Sequence, residues 1–230
     1  PMPTSLSNTP PNVALIVDSK DSAWADEIPY TLPDHDVAEI DATTLEVTGY
    51  FSKLGTVNLG LAVNPANGDL WVANTEARNL TFYEPALRGY THLNRVTKVD
   101  TLSAQATPFD LNPEIDYTAI PNFDAKSKAL AQPAGIVFDP SGTHCYVAAF
   151  GSDRVAKLNA DGEVVERIDI GDAHGGEANS RNMRGPRGLA IHPSGSPLYV
   201  MNRISNTISV IAIGSATAAK EFPAGSHDPT

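Results

Sequence analysis

Three segments of this chain repeat one another, and a repeat of this kind leaves few folds open. Leu59-Gly60-Leu61-Ala62-Val63-Asn64-Pro65 runs through Asn67-Gly68 into Leu70-Trp71-Val72-Ala73-Asn74. Ala134-Gly135-Ile136-Val137-Phe138-Asp139-Pro140 runs through Ser141-Gly142 into Cys145-Tyr146-Val147-Ala148-Ala149. Arg187-Gly188-Leu189-Ala190-Ile191-His192-Pro193 runs through Ser194-Gly195 into Leu198-Tyr199-Val200-Met201-Asn202. Each reads as a strand, a tight turn and a second strand. Pro presets φ in the turn, Gly supplies a positive φ, and the aromatic and β-branched residues that follow suit a packed sheet. A glycine at the head of each first strand (Gly60, Gly135, Gly188) predicts close approach of another backbone.

Third strands are predicted at 79–84, 154–158 and 207–211. In the latter two, apolar and polar residues alternate, so one face is buried. Fourth strands are predicted at 95–101, 163–170 and 218–222. The N-terminal part fits the same template without its first strand: 13–17 matches strand two, 37–40 strand three and 45–51 strand four.

The second strands Trp71-Val72-Ala73-Asn74, Tyr146-Val147-Ala148-Ala149 and Tyr199-Val200-Met201-Asn202 carry a resemblance. With the third strand Asn206-Thr207-Ile208-Ser209-Val210-Ile211, they resemble the YVTN family of β-propellers, named for a strand Tyr-Val-Thr-Asn. The resemblance covers roughly residues 13 to 215. It implies an all-β propeller of four-stranded antiparallel blades, about four of them here with the first incomplete, forming part of a larger ring. Gly60, Gly135 and Gly188 lie 75 and 53 residues apart, whereas such blades repeat at about 40 to 45 residues. The excess is loop. The organisation expected is an extended or disordered segment at 1–12, blades over 13–222 and a linker-like tail at 223–230. In secreted bacterial proteins that this chain resembles, a similar Asp-Pro-Thr segment leads into a c-type cytochrome domain. The tail Asp228-Pro229-Thr230 therefore implies an adjoining redox domain and a periplasmic or extracellular location.

Composition narrows the partners. A formal net charge of −11 opposes binding to nucleic acid, which needs Lys and Arg to displace counterions from phosphates. It equally opposes docking on an anionic membrane, and no apolar run is long enough to span one. The charge suits a cation or a basic partner, or simply solubility. Cys145 is the one cysteine, so no internal disulfide forms; within its apolar run it reads as a core residue. The polar opening, Thr4 to Asn12, reads as a processed or trimmed start.

Strand alternation sorts the loops. Long connections are predicted at 18–36, 102–132 and 171–184, all on one face, with 84–94 as a moderate exception on the other. Loops of that length are uncommon unless they bind something. The candidate ligand-binding face comprises Asp18, Asp21 and His35 from the first loop, with His174, Glu177, Arg181 and Arg184 from the third. Carboxylates and histidine suit a divalent cation, the only cofactor the sequence suggests; arginines suit a carboxylate or phosphate. His192 takes the turn position held by Asn64 and Asp139, which assigns it to turn geometry. No catalytic residue is assigned, because no nucleophile or phosphate-binding motif occurs. The leading reading is a secreted or periplasmic binding or docking module for a redox partner or an adjoining cytochrome domain, its partner being another protein or missing blades of the same polypeptide. The alternatives are a metal-dependent lactonase-like or lyase-like propeller enzyme and a structural surface-layer repeat.

Overall fold

A computed structural model describes residues 34–78, 90–119, 121–170, 182–218 and 220–225, together with Ser22, Asp26 and Glu27. The chain divides into two units, Pro1–Lys53 with Ala77–His92, and Leu54–Glu76 with Leu93–Thr230. In the first, β1 (Val37–Ile40) and β2 (Val47–Phe51) form an antiparallel hairpin, the expected third and fourth strands of the incomplete blade. Asp41 closes its turn by accepting the amides of Thr43 and Thr44, both at 2.8 Å. The predicted strand 13–17 lies outside the described residues.

Three four-stranded antiparallel sheets follow, each running in sequence order. The first blade is β3 (Val57–Val63), β4 (Leu70–Ala77), β5 (His92–Val99) and β6 (Ala106–Asp110). The second is β7 (Pro133–Phe138), β8 (His144–Ala149), β9 (Arg154–Asn159) and β10 (Val164–Asp169). The third is β11 (Pro186–Ile191), β12 (Leu198–Asn202), β13 (Thr207–Ile211) and β14 (Lys220–Pro223). These are propeller blades in part of a ring, not a closed one.

One strand assignment is corrected. Of the predicted 95–101, residues 95–99 belong to the third strand of the first blade, not the fourth, which is Ala106–Asp110. Pro108 hid it, because proline cannot donate to a ladder. It is tolerated here because β6 is the outermost strand of its sheet, with one edge unpaired. The predicted segment 79–84 lies outside the described residues. Two consequences follow for the loops. Residues 100–105 become a short turn, and the connection from β4 to β5 falls at the loop end, so the exception at 84–94 disappears. The remaining connection, 111–132, also holds a short helix that no periodicity announced, α1 (Phe123–Lys128), capped by Asn122 accepting the Ala125 amide at 3.0 Å.

Register shows why the repeat has the residues it has. Each inner strand carries a β-bulge at or just before its glycine, between Asn58 and Gly60, Pro133 and Ile136, and Pro186 and Gly188. The bulge turns a carbonyl toward the preceding blade. A Cβ on Gly60 would lie 2.1 Å from the Ala134 oxygen, and one on Gly135 would lie 2.0 Å from the Arg187 oxygen. Only glycine fits there. Apolar side chains fill the space between blades. Trp71, Val96 and Phe109 pack with Ile136, Phe138 and Val147 at the first joint. Tyr146, Val155 and Ile168 pack with Leu198, Val200 and Ile211 at the second. Cys145 sits in the first of these clusters, and burial pushes its thiol far above the usual range, so it packs as an inert core residue.

Candidate functional site

Antiparallel order puts the strand-two-to-three and blade-to-blade connections at one end of the sheets and the tight turns at the other. The turn end is satisfied locally. Asn64 accepts the Ala66 amide at 2.9 Å, Asp139 accepts the Thr143 amide at 3.0 Å, and His192 accepts the Ser194 amide through Nδ1 at 3.2 Å. His192 thus does with a ring nitrogen what Asn64 does with an amide oxygen, as its place in the repeat implied.

The loop end is built differently. The blade-to-blade connection 111–132 is pinned at its base by Asn112, within the connection, and by arginines of the second blade. Asn112 exchanges two hydrogen bonds with Leu130, at 2.9 and 2.7 Å. Arg154 donates to the carbonyls of Ala129 (3.0 Å) and Lys126 (3.2 Å) while paired with Asp169 at 2.7 Å. Arg167 donates to the Lys128 carbonyl at 2.9 Å and pairs with Glu114. In the first blade, Arg95 joins Glu76 at 2.9 Å and the Leu54 carbonyl at 2.9 Å. The next connection re-enters the sheet at Arg184 and Gly185, whose amides donate to the two oxygens of buried Asp153 at 2.9 and 2.8 Å. Asp153 adopts a left-handed φ of 51° to present that carboxylate.

Arg184 is the proposed ligand residue that the structure places most fully. It is 8% exposed, its Nε lies 3.5 Å from Glu221 Oε2, and its guanidinium also donates to the Asn182 carbonyl. Glu221 in turn accepts from Thr207, which receives a hydrogen bond from Asn202 at 3.0 Å. In this arrangement Arg184 anchors the base of the loop; to clamp an external anion it would have to leave Glu221. His35 is exposed and lies in the first unit, stacked on Tyr50 with ring centroids 3.8 Å apart. Asp18, Asp21, His174, Glu177 and Arg181 lie outside the described residues. Among the described residues, no three His, Cys, Asp or Glu side chains gather as metal donors. No described helix is long and apolar enough to cross a membrane.

Sequence reasoning missed the anchors Asp153, Arg154 and Asn94, whose Oδ1 accepts the Gln132 amide at 2.8 Å. A signal existed, because Arg95 and Arg154 occupy the same repeat position and pair in register with Asp110 and Asp169. It was hidden by the misplaced strand in the first blade.

Blades whose inner-strand glycines are packed against the next blade's carbonyl agree with a match of residues 38–223 to a family described as "Lactonase, 7-bladed beta-propeller". The chain belongs to this family. Among solved structures it is similar to hydrazine synthase of Kuenenia stuttgartiensis, at 19% identity and a TM-score of 0.57, over 76% of this chain and 51% of that one. It is also similar to a functionally unknown protein from Desulfotomaculum acetoxidans, at 13% identity and a TM-score of 0.51, over 82% and 49%. The chain thus spans about half the length of these two structures. Likeness at such identity shows the fold alone, since propellers host many activities. Among curated proteins, none matches the sequence.

Proposed function

We propose that this chain is the blade-bearing part of a periplasmic or extracellular YVTN-type propeller that works as a binding or docking module, taking its partner at the loop end. One observation carries the reading: at that end, the bases of long connections are locked by Asp153, Arg154, Asn112 and Arg167. Variable loops on rigid footings are how scaffolds present binding residues. His174, Glu177 and Arg181 stand in the connection that Asp153 holds. The partner class we favour is a redox protein or an adjoining cytochrome-type domain, as the resemblance implies.

A second reading has an observation of its own, the lactonase description of the family. On that reading His174, Glu177 and the acidic residues of 18–36 hold a divalent cation that polarises a lactone carbonyl. One pair of assays separates the two. The chain is tested for binding to a soluble c-type cytochrome on a biosensor, and for hydrolysis of simple lactones with and without chelator. Replacing 172–181 by a short Gly-Ser linker, with Arg184 and Asp153 intact, is expected to weaken cytochrome binding about tenfold or more, while a change in the Asn67-Gly68 turn leaves it unchanged. Absence of cytochrome binding, or chelator-sensitive lactone turnover lost in Glu177→Gln, would overturn the docking reading.

A further inference from the structure

We propose that the loop end of the third blade is a docking surface for an acidic protein segment, with Arg187 and Arg203 as its cationic contacts and Ile204 and Phe150 as its apolar centre. The inference rests on the docking reading and deepens it, by giving the partner's face a chemistry.

The charge distribution comes first. From Ala178 to Lys220 the chain has Arg181, Arg184, Arg187, Arg203 and Lys220 and no Asp or Glu. The rest of the chain sets 27 Asp and Glu against the other 11 Lys and Arg. A chain of net charge −11 thus concentrates positive charge in its third blade and in the segment that enters it. The overall sign serves solubility; it does not explain an acid-free stretch of this length.

The fold gathers two of these arginines around Gly185. Connections from strand two to strand three lie at the loop end, and two of them meet there, 150–153 from the second blade and 203–206 from the third. Arg203 and Ile204 donate their amides to the carbonyls of Gly185 and Arg184, each at 2.9 Å. A Cβ on Gly185 would lie 2.7 Å from Ile204 Cγ1 and 2.8 Å from Phe150 Cε2, so both apolar side chains close over this glycine. Arg187 follows two residues later, as the second residue of β11. Ile204 remains 53% exposed in this setting, and Phe150 is half-buried. Arg187 and Arg203 are exposed, and neither makes an ion pair among the described residues.

The neighbouring carboxylates are already engaged. Buried Asp153 gives its two oxygens to the amides of Arg184 and Gly185. Glu221 accepts from Thr207 and faces Arg184, which removes Arg184 from the contact set. Asp169 is paired with Arg154. Arg187 and Arg203 are therefore cations mounted on a fixed backbone, with no described carboxylate to neutralise them.

This chemistry selects the partner. Guanidinium forks match carboxylates, and arginines beside an apolar centre are the composition of a protein interface core. Screening over about 8 Å lets a short acidic segment respond to the patch rather than to the net charge. An extended polyanion, whether nucleic acid or an anionic membrane, would also lie against the acidic remainder of the chain.

The test uses the whole chain and a fluorescein-labelled decapeptide of alternating Glu and Asp with one central Phe, followed by anisotropy. The acidic peptide is expected to bind at least about tenfold more tightly than its Lys counterpart and to weaken as NaCl rises from about 50 to about 300 mM. Arg187→Glu with Arg203→Glu is expected to weaken it about tenfold or more, with an unchanged unfolding midpoint. Lys53→Glu with Lys157→Glu makes the same change in net charge and is expected to alter binding by less than about twofold. Ile204→Ser and removal of the peptide's Phe are each expected to cost about threefold, with little further loss when combined. No preference for the acidic peptide overturns the proposal, and so do equal losses in the two double variants. Tighter binding of a DNA duplex, or of vesicles with about one-quarter anionic lipid, than of the peptide overturns it as well. Failure here with cytochrome binding intact leaves the docking reading standing, whereas acidic-peptide binding without cytochrome binding removes the cytochrome partner alone.

Discussion

The first and third blades bury a polar pair where the second buries an apolar one. Asn74 Nδ2 donates to Thr97 Oγ1 at 2.8 Å, and Asn202 Nδ2 donates to Ser209 Oγ at 2.7 Å. At the same register in the second blade stand Ala149 and Ala156, both fully buried. Both partners have changed together, which physical chemistry requires: one deleted partner strands a buried polar group, whereas two replaced partners cost little. The task of the pair has moved as well. Asn74 also donates to the Leu54 carbonyl at 2.9 Å, holding the segment that enters the blade, and Gly55 leaves it room. In the second blade the residue at the Gly55 position is Leu130, which packs with Ala149 and Ala156, and the entering segment is held instead by Asn112 and Arg154. One backbone therefore accepts two solutions, provided that each is complete.

The largest expected effect comes from breaking the apolar solution. Ala149→Asn would put an unpartnered amide and extra volume against Leu130 and Ala156, and should lower stability by about 3 kcal/mol or more. A urea titration measures it, and a shift below about 1 kcal/mol would show that the site is looser than its burial implies. A smaller effect should follow from breaking the polar solution. Asn74→Ala leaves the buried Thr97 hydroxyl with only the Leu54 carbonyl, at 2.9 Å, and should cost about 2 kcal/mol. Adding Thr97→Val should return part of that loss, because Arg95 still holds Leu54; strictly additive losses would mean the pair is not a unit.

The smallest effect belongs to the turn end, where Asn64, Asp139 and His192 do one job with three chemistries. Burial raises the Asp139 carboxyl, but hydrogen bonds from Ser141, Thr143 and His144 outweigh it and hold it below the ordinary 3.8. Its stabilising contribution is therefore complete above pH 3.8 and is lost as the pH falls through the lowered folded value. Asp139→Asn, which copies the Asn64 turn, should flatten the acid limb of stability by less than about 1 kcal/mol. Thermal melts between pH 5 and the acid transition provide the comparison, and an unchanged acid limb would break it.

Legibility in the sequence followed the strength of local signals. The glycines at 60, 135 and 188, the proline turns and the second strands were readable because each solves a local steric problem with a distinctive residue. The strand at 106–110 was not, because Pro108 contradicts β propensity unless the outermost position of the strand is already known. The candidate site was legible only as loops of a certain length at one end. That Arg184 is committed to Glu221, and that His35 lies on Tyr50, no spacing could announce, since both contacts join residues far apart in sequence or brought together by a hairpin.

The sequence by itself determined that the chain is a repeat of strand, turn and strand with a glycine needing a bare neighbour, because those demands are met within a few residues. Only the tertiary structure decided what each glycine faces. Gly60 and Gly135 lie under a carbonyl of the next inner strand and Gly188 does not, though all three read alike. The difference lies in packing between blades, where residues 52 or more positions apart meet across a joint that local propensity does not encode.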